Sequence, residues 1–202
     1  MEKARVPTKK GKEQARPGKD TVHENWHLGG TRGDVLLTEL ELVMMRFQQA
    51  FERWVVHVTE RSGDPNLSFS ESVLLHSVRL QSQPCTTQSI ARLLNRDDIP
   101  NVQYSLRKLV KGGYLTHATA NAKNNSFTLT ERGYRITDYY ARIRHEVLVT
   151  HARNLETMEG EFQAIIDQIG ILTGQYDEAM RKASTYHFPS IQPVESPSRR
   201  GS

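Results

Sequence analysis

The segment from Thr86 to Gly133 contains the signals that most constrain how this 202-residue chain folds. Its first part predicts a short helix with a hydroxyl N-cap, either Thr86 or Thr87, because a side-chain oxygen there accepts from the first free backbone amides. The apolar side chains expected to face inward at helical spacing are Ile90, Leu93 and Leu94.

A second helix is predicted after a break at residues 95–98. Asp98 suits its N-cap, and Pro100 suits its first turn because a missing N–H costs nothing there. Gly112 and Gly113 are expected to end it, since glycine readily adopts positive φ. Its apolar residues at helical spacing are Val102, Leu106, Leu109 and Val110. Two short helices joined by a tight break form a helix-turn-helix.

A β-hairpin is predicted directly after the glycines. Tyr114 and Leu115 begin an apolar strand, and Phe127, Thr128 and Leu129 form a second one. The residues between these strands have almost no large apolar side chains, as is typical of a loop tip. The segment therefore reads as helix, helix and wing.

Long helices are predicted on both sides of this segment. Residues 34–61 repeat apolar side chains at alternating steps of four and three without Gly or Pro, and Ser70 is expected to cap a shorter helix that follows. After Gly133, one helix is predicted to about Leu155 and another after a break at Glu159 and Gly160. The apolar stripes cover more than one side of these helices, which indicates a second subunit as a packing partner.

The order and spacing of these signals resemble the winged helix of MarR-family transcription regulators. The matching residues are Ile90-Ala91-x-Leu93, the register from Asn101 to Leu109, Gly113-Tyr114-Leu115, and Leu129-Thr130-Glu131-Arg132-Gly133. The chain departs from the family at Tyr104, where many relatives carry Arg, and at the wing tip, which lacks an Asp-x-Arg-Arg run.

The resemblance implies a mainly α fold with a small β-hairpin wing. In that arrangement a winged helix-turn-helix at about 67–133 lies within a domain spanning 34–186, between dimerisation helices at 34–61 and 134–186. It further implies a homodimeric transcription regulator that binds double-stranded DNA at a pseudo-palindromic operator. The regulator is expected to be a repressor released by a small, often aromatic, ligand.

Polar side chains off the apolar stripe of the second helix are the candidates for DNA contact. Those assigned to bases are Asn101, Gln103 and Tyr104, and those assigned to phosphates are Arg107 and Lys108. The start of the preceding helix suits a phosphate through Thr86, Thr87 and Gln88. Wing-tip residues expected to reach the minor groove or backbone are Lys123, Asn124 and Asn125.

The distribution of charge supports this assignment. Residues 86–135 carry eight Lys or Arg against three Asp or Glu, whereas 34–85 and 136–186 are net acidic. A basic segment between acidic ones is the pattern expected of a protein that presents one face to phosphates. Residues 1–33, a basic arm, and 187–202 are predicted to be disordered. The arm adds non-specific DNA affinity or only solubility.

An effector site is implied by the family resemblance, between the dimer helices and the winged helix. Its candidate lining residues are Phe47, Trp54, His57, His76 and Tyr140, each with plain core packing as the alternative. Cys85 lies beside the start of a helix, where the helix dipole can lower the pKa of a thiol. A redox-responsive regulator is therefore another alternative. An inert small apolar residue is the plainer interpretation of this cysteine.

The remaining patterns bear on other classes of function. No i,i+4 pair and no neighbouring cysteine occur among His57, His76, His117, His145 and His151, and there is no Gly-rich phosphate loop or nucleophile elbow. We therefore expect no cofactor, no metal site and no enzymatic activity.

The sequence also bears on where the protein acts. A single cysteine, no signal peptide and no apolar run of about 20 residues favour a cytoplasmic protein without membrane attachment. A winged helix that binds DNA without sequence preference stays open as an alternative.

Overall fold

The computed structural model describes residues 27–28, 30–63, 66–81, 84–119, 125–150 and 158–186. The helices in these ranges are α1 (Arg32–Arg61), α2 (Phe69–Leu80), α3 (Thr87–Leu93), α4 (Ile99–Lys111), α5 (Glu131–Arg144) and α6 (Glu159–Thr185). The strands are β1 (Cys85–Thr86), β2 (Leu115–Thr119) and β3 (Asn125–Leu129), and a π-helical segment (His145–Val149) follows α5. The predicted fold class, mainly α with a small β-hairpin wing, is confirmed. The chain divides into two compact units, one ending at Tyr140 and one beginning at Ala141.

The core of the first unit lies between α2, α3, α4 and the sheet. Its side chains come from α2, from the predicted apolar positions of α3 and α4, and from the strands, and their removal from water stabilises the unit. The largest fully buried ones are Leu74, Leu75, Val78, Ile90, Val102, Leu106, Leu109 and Leu115. The helix-turn-helix thus lies directly on this core, so the position of α4 depends on α2 and α3.

The sheet has three antiparallel strands in the order β1-β3-β2. Leu115 pairs with Leu129 in the predicted hairpin, and Cys85 pairs with Phe127 on the other edge of β3. The sequence predicts only a loop leading up to residue 85. A two-residue strand is too short to show an alternating pattern, so only the pairing with β3 reveals it.

Hydroxyl caps begin the first three helices of the unit. The N-cap residues are Thr31, Ser68 and Thr86, each part of a reciprocal capping box. The prediction of Ser70 as the cap of α2 was therefore wrong. The Ser68 hydroxyl accepts from the Glu71 backbone N–H, and the Glu71 carboxylate accepts from the Ser68 backbone N–H in return.

The corner after α4 differs from the prediction in one glycine. Gly113 has a φ of +76°, as expected, but Gly112 has a φ of −74° and does not need glycine for its backbone angle. Glycine at residue 112 has a packing reason instead, since a Cβ there would lie 2.5 Å from the Tyr114 ring. Leu93 was also predicted to face inward, but it is 50% exposed, because α3 ends at this residue and Leu94 fills the inner position instead.

The helices after the wing also differ from the prediction. α6 begins at Glu159 with Gly160 in its first turn, so these residues do not form a break. The α-helix after the wing ends at Arg144, and its predicted continuation to Leu155 passes through the π-helical segment and then lies outside the described residues. The N-terminal arm up to residue 26 and the tail from residue 187 lie outside them as well.

Two helices expose large apolar side chains. The buried residues of α1 are confined to its C-terminal part, at Val55, Val58 and Thr59. Its exposed apolar residues include Leu36, Val43, Met45 and Phe47. In the second unit, α6 has no buried residue and exposes Phe162, Ile165, Ile166, Ile171 and Met180. No described helix is long and apolar enough to cross a lipid bilayer.

Candidate nucleic-acid interface

The helix α4 has one face in the core and one in solvent. Val102, Leu106 and Leu109 are completely buried, whereas Asn101, Tyr104, Arg107 and Lys108 are exposed and Gln103 is half-buried. Tyr104, with 59% of its surface exposed, is the largest side chain on the outer face. This face offers amide, phenol and guanidinium groups, which are the groups that read base edges and bind phosphates.

The start of α4 is organised by an ion pair and not by a cap. Asp98 occupies the N-cap position, but its side chain makes no cap hydrogen bond. The carboxylate instead accepts from Arg96 Nε at 2.8 Å and Nη2 at 2.6 Å, and these bonds lower the Asp98 pKa to about 2. Asn101 Nδ2 donates to the same carboxylate at 3.2 Å. The amide of Asn101 is therefore held in place before any nucleic acid arrives.

Lys108 is also held by a carboxylate. Its ammonium pairs with Glu71 of α2, whose side chain is only 4% exposed. Burial raises the pKa of Glu71, but the bonds from Lys108 and Ser68 outweigh it, so the net pKa lies below its usual value. The bond to Glu71 raises the Lys108 pKa. Both groups are thus charged at neutral pH, and Lys108 connects α4 to α2.

The residues predicted at the start of α3 differ in accessibility. The Thr86 hydroxyl accepts from Ser89 N at 3.1 Å as the helix cap, and Thr87 is only 3% exposed. Gln88 is exposed. Of these residues, Gln88 has the side chain most available for a phosphate.

A cleft of about 170 Å³ opens between α3, α4 and the root of the wing. Its lining residues are Thr87, Gln103, Arg107, Val110, His117 and Phe127. The His117 ring stacks on Phe127 with centroids 5.1 Å apart. The cleft places side chains of the wing beside α4, a position that no sequence signal predicts for His117. Of the wing-tip candidates, Asn125 begins β3, and Lys123 and Asn124 lie outside the described residues.

The first turn of α5 is fastened to the chain just after α4. Thr130 Oγ1 donates to the Gly113 carbonyl at 2.7 Å and accepts from Gly133 N at 3.1 Å. Arg132 Nη1 donates to the Gly112 carbonyl at 2.9 Å, and its guanidinium lies 4.4 Å from the centre of the Tyr114 ring. We call residues 112–114 with these contacts the α4 corner. The Leu-Thr-x-x-Gly pattern thus fixes the end of α4 to the start of α5.

The residues predicted for an effector site are only partly brought together. Trp54 Nε1 donates to the Tyr140 hydroxyl at 3.2 Å, and the His76 ring lies against the Tyr140 ring with centroids 4.5 Å apart. Phe47 instead stacks on Phe51, with centroids 6.1 Å apart, and His57 is exposed. The candidate pocket therefore reduces to a cluster of Trp54, His76 and Tyr140.

Cys85 lies in an environment that does not favour a reactive thiol. Cys85 is buried, and burial raises its pKa, which is opposite to the lowered pKa that a redox role requires. Its Sγ lies 3.6 Å from the Val78 carbonyl oxygen. Within the described ranges, no group of three or more His, Cys, Asp or Glu residues is placed to hold a metal ion.

Comparison with known proteins identifies the domain. Residues 67–133 match the family model of the winged helix DNA-binding domain. The matched residues run from just before α2 to the first turn of α5 and include α3, α4 and the wing. A sequence comparison with curated proteins gives no match.

Solved structures match a larger part of the chain than the family model does. A MarR family transcription regulator aligns with a TM-score of 0.55 at 14% identity, over 74% of this chain and 95% of its own. Staphylococcus aureus MarR, solved with salicylate and kanamycin, gives 0.56 at 14%, over 69% and 94%. A MarR transcriptional regulator from Methanosarcina mazei Go1 gives 0.54 at 13%, over 67% and 99%. The chain has a fold similar to that of MarR-family transcription regulators, as the sequence predicted.

The contacts that Glu71, Arg96 and Arg132 make around α4 were not predicted from the sequence. Glu71 had a visible signal, because Ser68-x-x-Glu71 is a capping-box pattern. Arg96 and Arg132 had none, since their partners are set by how the helices pack.

Proposed function

We propose that the protein is a homodimeric, sequence-specific transcription regulator that acts in the cytoplasm as a repressor and is released from DNA by a small aromatic ligand. The exposed polar face of α4, in a winged-helix fold, carries this proposal. Asn101, Gln103 and Tyr104 are assigned to base edges, and Arg107 and Gln88 to phosphates. An amide side chain pairs with adenine, and a tyrosine ring packs against a thymine methyl group.

The homodimer is supported by apolar surface that each unit leaves exposed. Phe47 of α1 is 62% exposed and Ile166 of α6 is 60% exposed, each within a row of other apolar side chains. Exposed apolar area of this kind marks interaction sites in soluble proteins. A two-fold dimer presents two copies of α4, and it therefore requires two half-sites about one DNA turn apart.

The effector is proposed to bind at the cluster of Trp54, His76 and Tyr140. Aromatic rings with a few polar atoms are typical of small-molecule sites. His76 Nε2 is buried without a hydrogen-bond partner among the described residues, so a ligand that supplies one would relieve a cost. S. aureus MarR was solved with salicylate, which supports an aromatic acid as the class of ligand to test.

A mobility-shift titration tests DNA recognition. The probe is the duplex upstream of the protein's own coding sequence, and the competitor is a random duplex of equal length. We expect preference for the upstream duplex, lost in the Asn101→Ala/Tyr104→Ala variant and kept in Gln168→Ala, a polar exposed position on α6. Equal affinity for both duplexes would contradict a sequence-specific regulator and favour a non-specific DNA-binding module.

Salicylate titrated into the protein–duplex complex tests the effector proposal. We expect release of the duplex at a lower salicylate concentration for the wild type than for Trp54→Phe, which removes the bond to Tyr140. Release at the same concentration from both proteins would place the ligand elsewhere.

A further inference from the structure

We propose that Lys108 and Glu71 form a latch that sets the orientation of α4 on α2, so that Lys108 is a positioning residue and not a phosphate contact. The latch itself concerns the folded protein alone. Its consequence for DNA rests on the proposed function.

Glu71 is built into α2 as a bidentate acceptor. One carboxylate oxygen, Oε2, accepts from Ser68 N and Ser68 Oγ, both at 2.9 Å. The other oxygen, Oε1, faces the Lys108 ammonium. Since the carboxylate is almost fully buried, its charge depends on Lys108 for compensation. Moving the ammonium to a DNA phosphate would leave this charge unpaired inside the protein.

The same turn of α2 also contacts Arg96, which binds the N-cap residue of α4. The Ser70 hydroxyl accepts from Arg96 Nη1 at 3.2 Å, and Arg96 also binds Asp98 at the start of α4. Neighbouring residues of α2 therefore hold the recognition helix at its first turn and at its third. Attachment at both places restrains the tilt of α4, and the tilt determines where Asn101 and Tyr104 meet base edges.

Lys108 differs in this respect from its neighbour Arg107. Arg107 is exposed and lines the cleft between α4 and the wing. The two cations are thus adjacent in sequence but are assigned different roles: Arg107 binds the DNA backbone, and Lys108 holds the helix.

A double-mutant cycle on the full chain without DNA tests the latch. Lys108→Met leaves a buried carboxylate alone, so we expect its urea midpoint to fall well below that of the wild type. Adding Glu71→Gln removes the unpaired charge and keeps the shape, so we expect the double variant to recover most of the loss. Lys108→Arg retains a cation and is expected to lie close to the wild type. Additive effects of the two substitutions would overturn the latch.

The salt dependence of binding to the upstream duplex tests the positioning role. A residue that neutralises a phosphate changes the slope of log K against log salt by about 0.9. We expect this change for Arg107→Met, and an unchanged slope for Lys108→Met with about tenfold weaker binding, as for a misplaced base contact. A slope change in Lys108→Met equal to that of Arg107→Met would overturn the proposal. If the wild type shows no preference for the duplex, the proposed function fails, while the urea cycle still decides the latch.

Discussion

Gly133 shows how a single residue allows α5 to approach the backbone at Tyr114 closely. It lies in the first turn of α5, where a Cβ atom would overlap the carbonyl oxygen of Tyr114. The obstacle is backbone, which cannot rotate away as a long side chain does. Glycine is therefore needed at this position for space, although its φ is an ordinary helical one.

Replacing Gly133 by alanine is predicted to destabilise the protein by about 1–3 kcal/mol, the range for overpacking a well-packed core. Urea unfolding measures the change. Gly160→Ala is the matched control, since Gly160 also lies in the first turn of a helix and a Cβ there would point into open space among the described residues. It is expected to be neutral or slightly stabilising. Equal losses in both variants would contradict the packing explanation.

His76 makes the stability depend on pH. Burial, and secondly the charge of Arg79, lower its pKa from 6.5 to about 4. Below pH 6.5 the unfolded chain takes up a proton that the folded protein accepts only near pH 4. Stability therefore falls as the pH decreases through this window, by about 3 kcal/mol in total.

His76→Phe is predicted to remove this loss, because phenylalanine keeps the ring contact with Tyr140 and has no proton to bind. The measurement is urea unfolding between about pH 4 and pH 7 at a fixed protein concentration. Glu71 also contributes acid sensitivity, but its pKa is lowered from 4.5 in the folded protein, so its contribution is lost only below about pH 4.5, at the acid end of this window. If the stability of His76→Phe falls with decreasing pH as steeply as that of the wild type, the assignment of this pH dependence to His76 is wrong.

Among the elements, the α4 corner joins α4 to α5. Arg132 places a cation at the C-terminal end of α4, where carbonyl groups lack helical partners and the helix dipole favours positive charge. Its stacking on Tyr114 adds a second attachment. The corner therefore couples the end of α4 to the helix that leads into the second unit.

Arg132→Met is predicted to lower the free energy of unfolding by about 1 kcal/mol. It is also predicted to weaken binding to the upstream duplex, because the end of α4 is no longer held. Arg135→Met is the charge-matched control, as Arg135 is exposed on the same helix. If both variants lose the same DNA affinity and no stability, Arg132 acts only through its charge and the positioning role is wrong.

At the scale of the whole molecule, exposed apolar rows on α1 and α6 predict that function requires two chains. Ile166→Glu puts a charge into the α6 row and is expected to yield a monomer by light scattering. A monomer contacts only one half-site, so its affinity for the upstream duplex should fall by about a hundredfold. Gln168→Glu adds the same charge at an exposed polar position and should remain dimeric. A dimeric Ile166→Glu protein would contradict α6 as part of the interface.

The elements of the winged helix could be predicted because their signals are local. Thr86 caps α3, Pro100 lies in the first turn of α4, and Gly113 takes the positive φ that ends the corner. Each depends on the residue's own geometry and on neighbours within one helical turn. The strand β1 and the cap at Ser68 were missed, the first because it is too short and the second because Ser70 offered a competing hydroxyl.

The side chains that α4 exposes to solvent could be predicted, since helical spacing separates Val102, Leu106 and Leu109 from Asn101, Tyr104 and Arg107. The contacts that the polar side chains around α4 make could not be predicted, because they depend on how the elements pack. Lys108 pairs with Glu71 of α2, Arg132 donates to the Gly112 carbonyl, and Thr87 is buried. The physical reason is that helix periodicity is a property of one segment, whereas an ion pair or a buried hydroxyl depends on how separate segments pack.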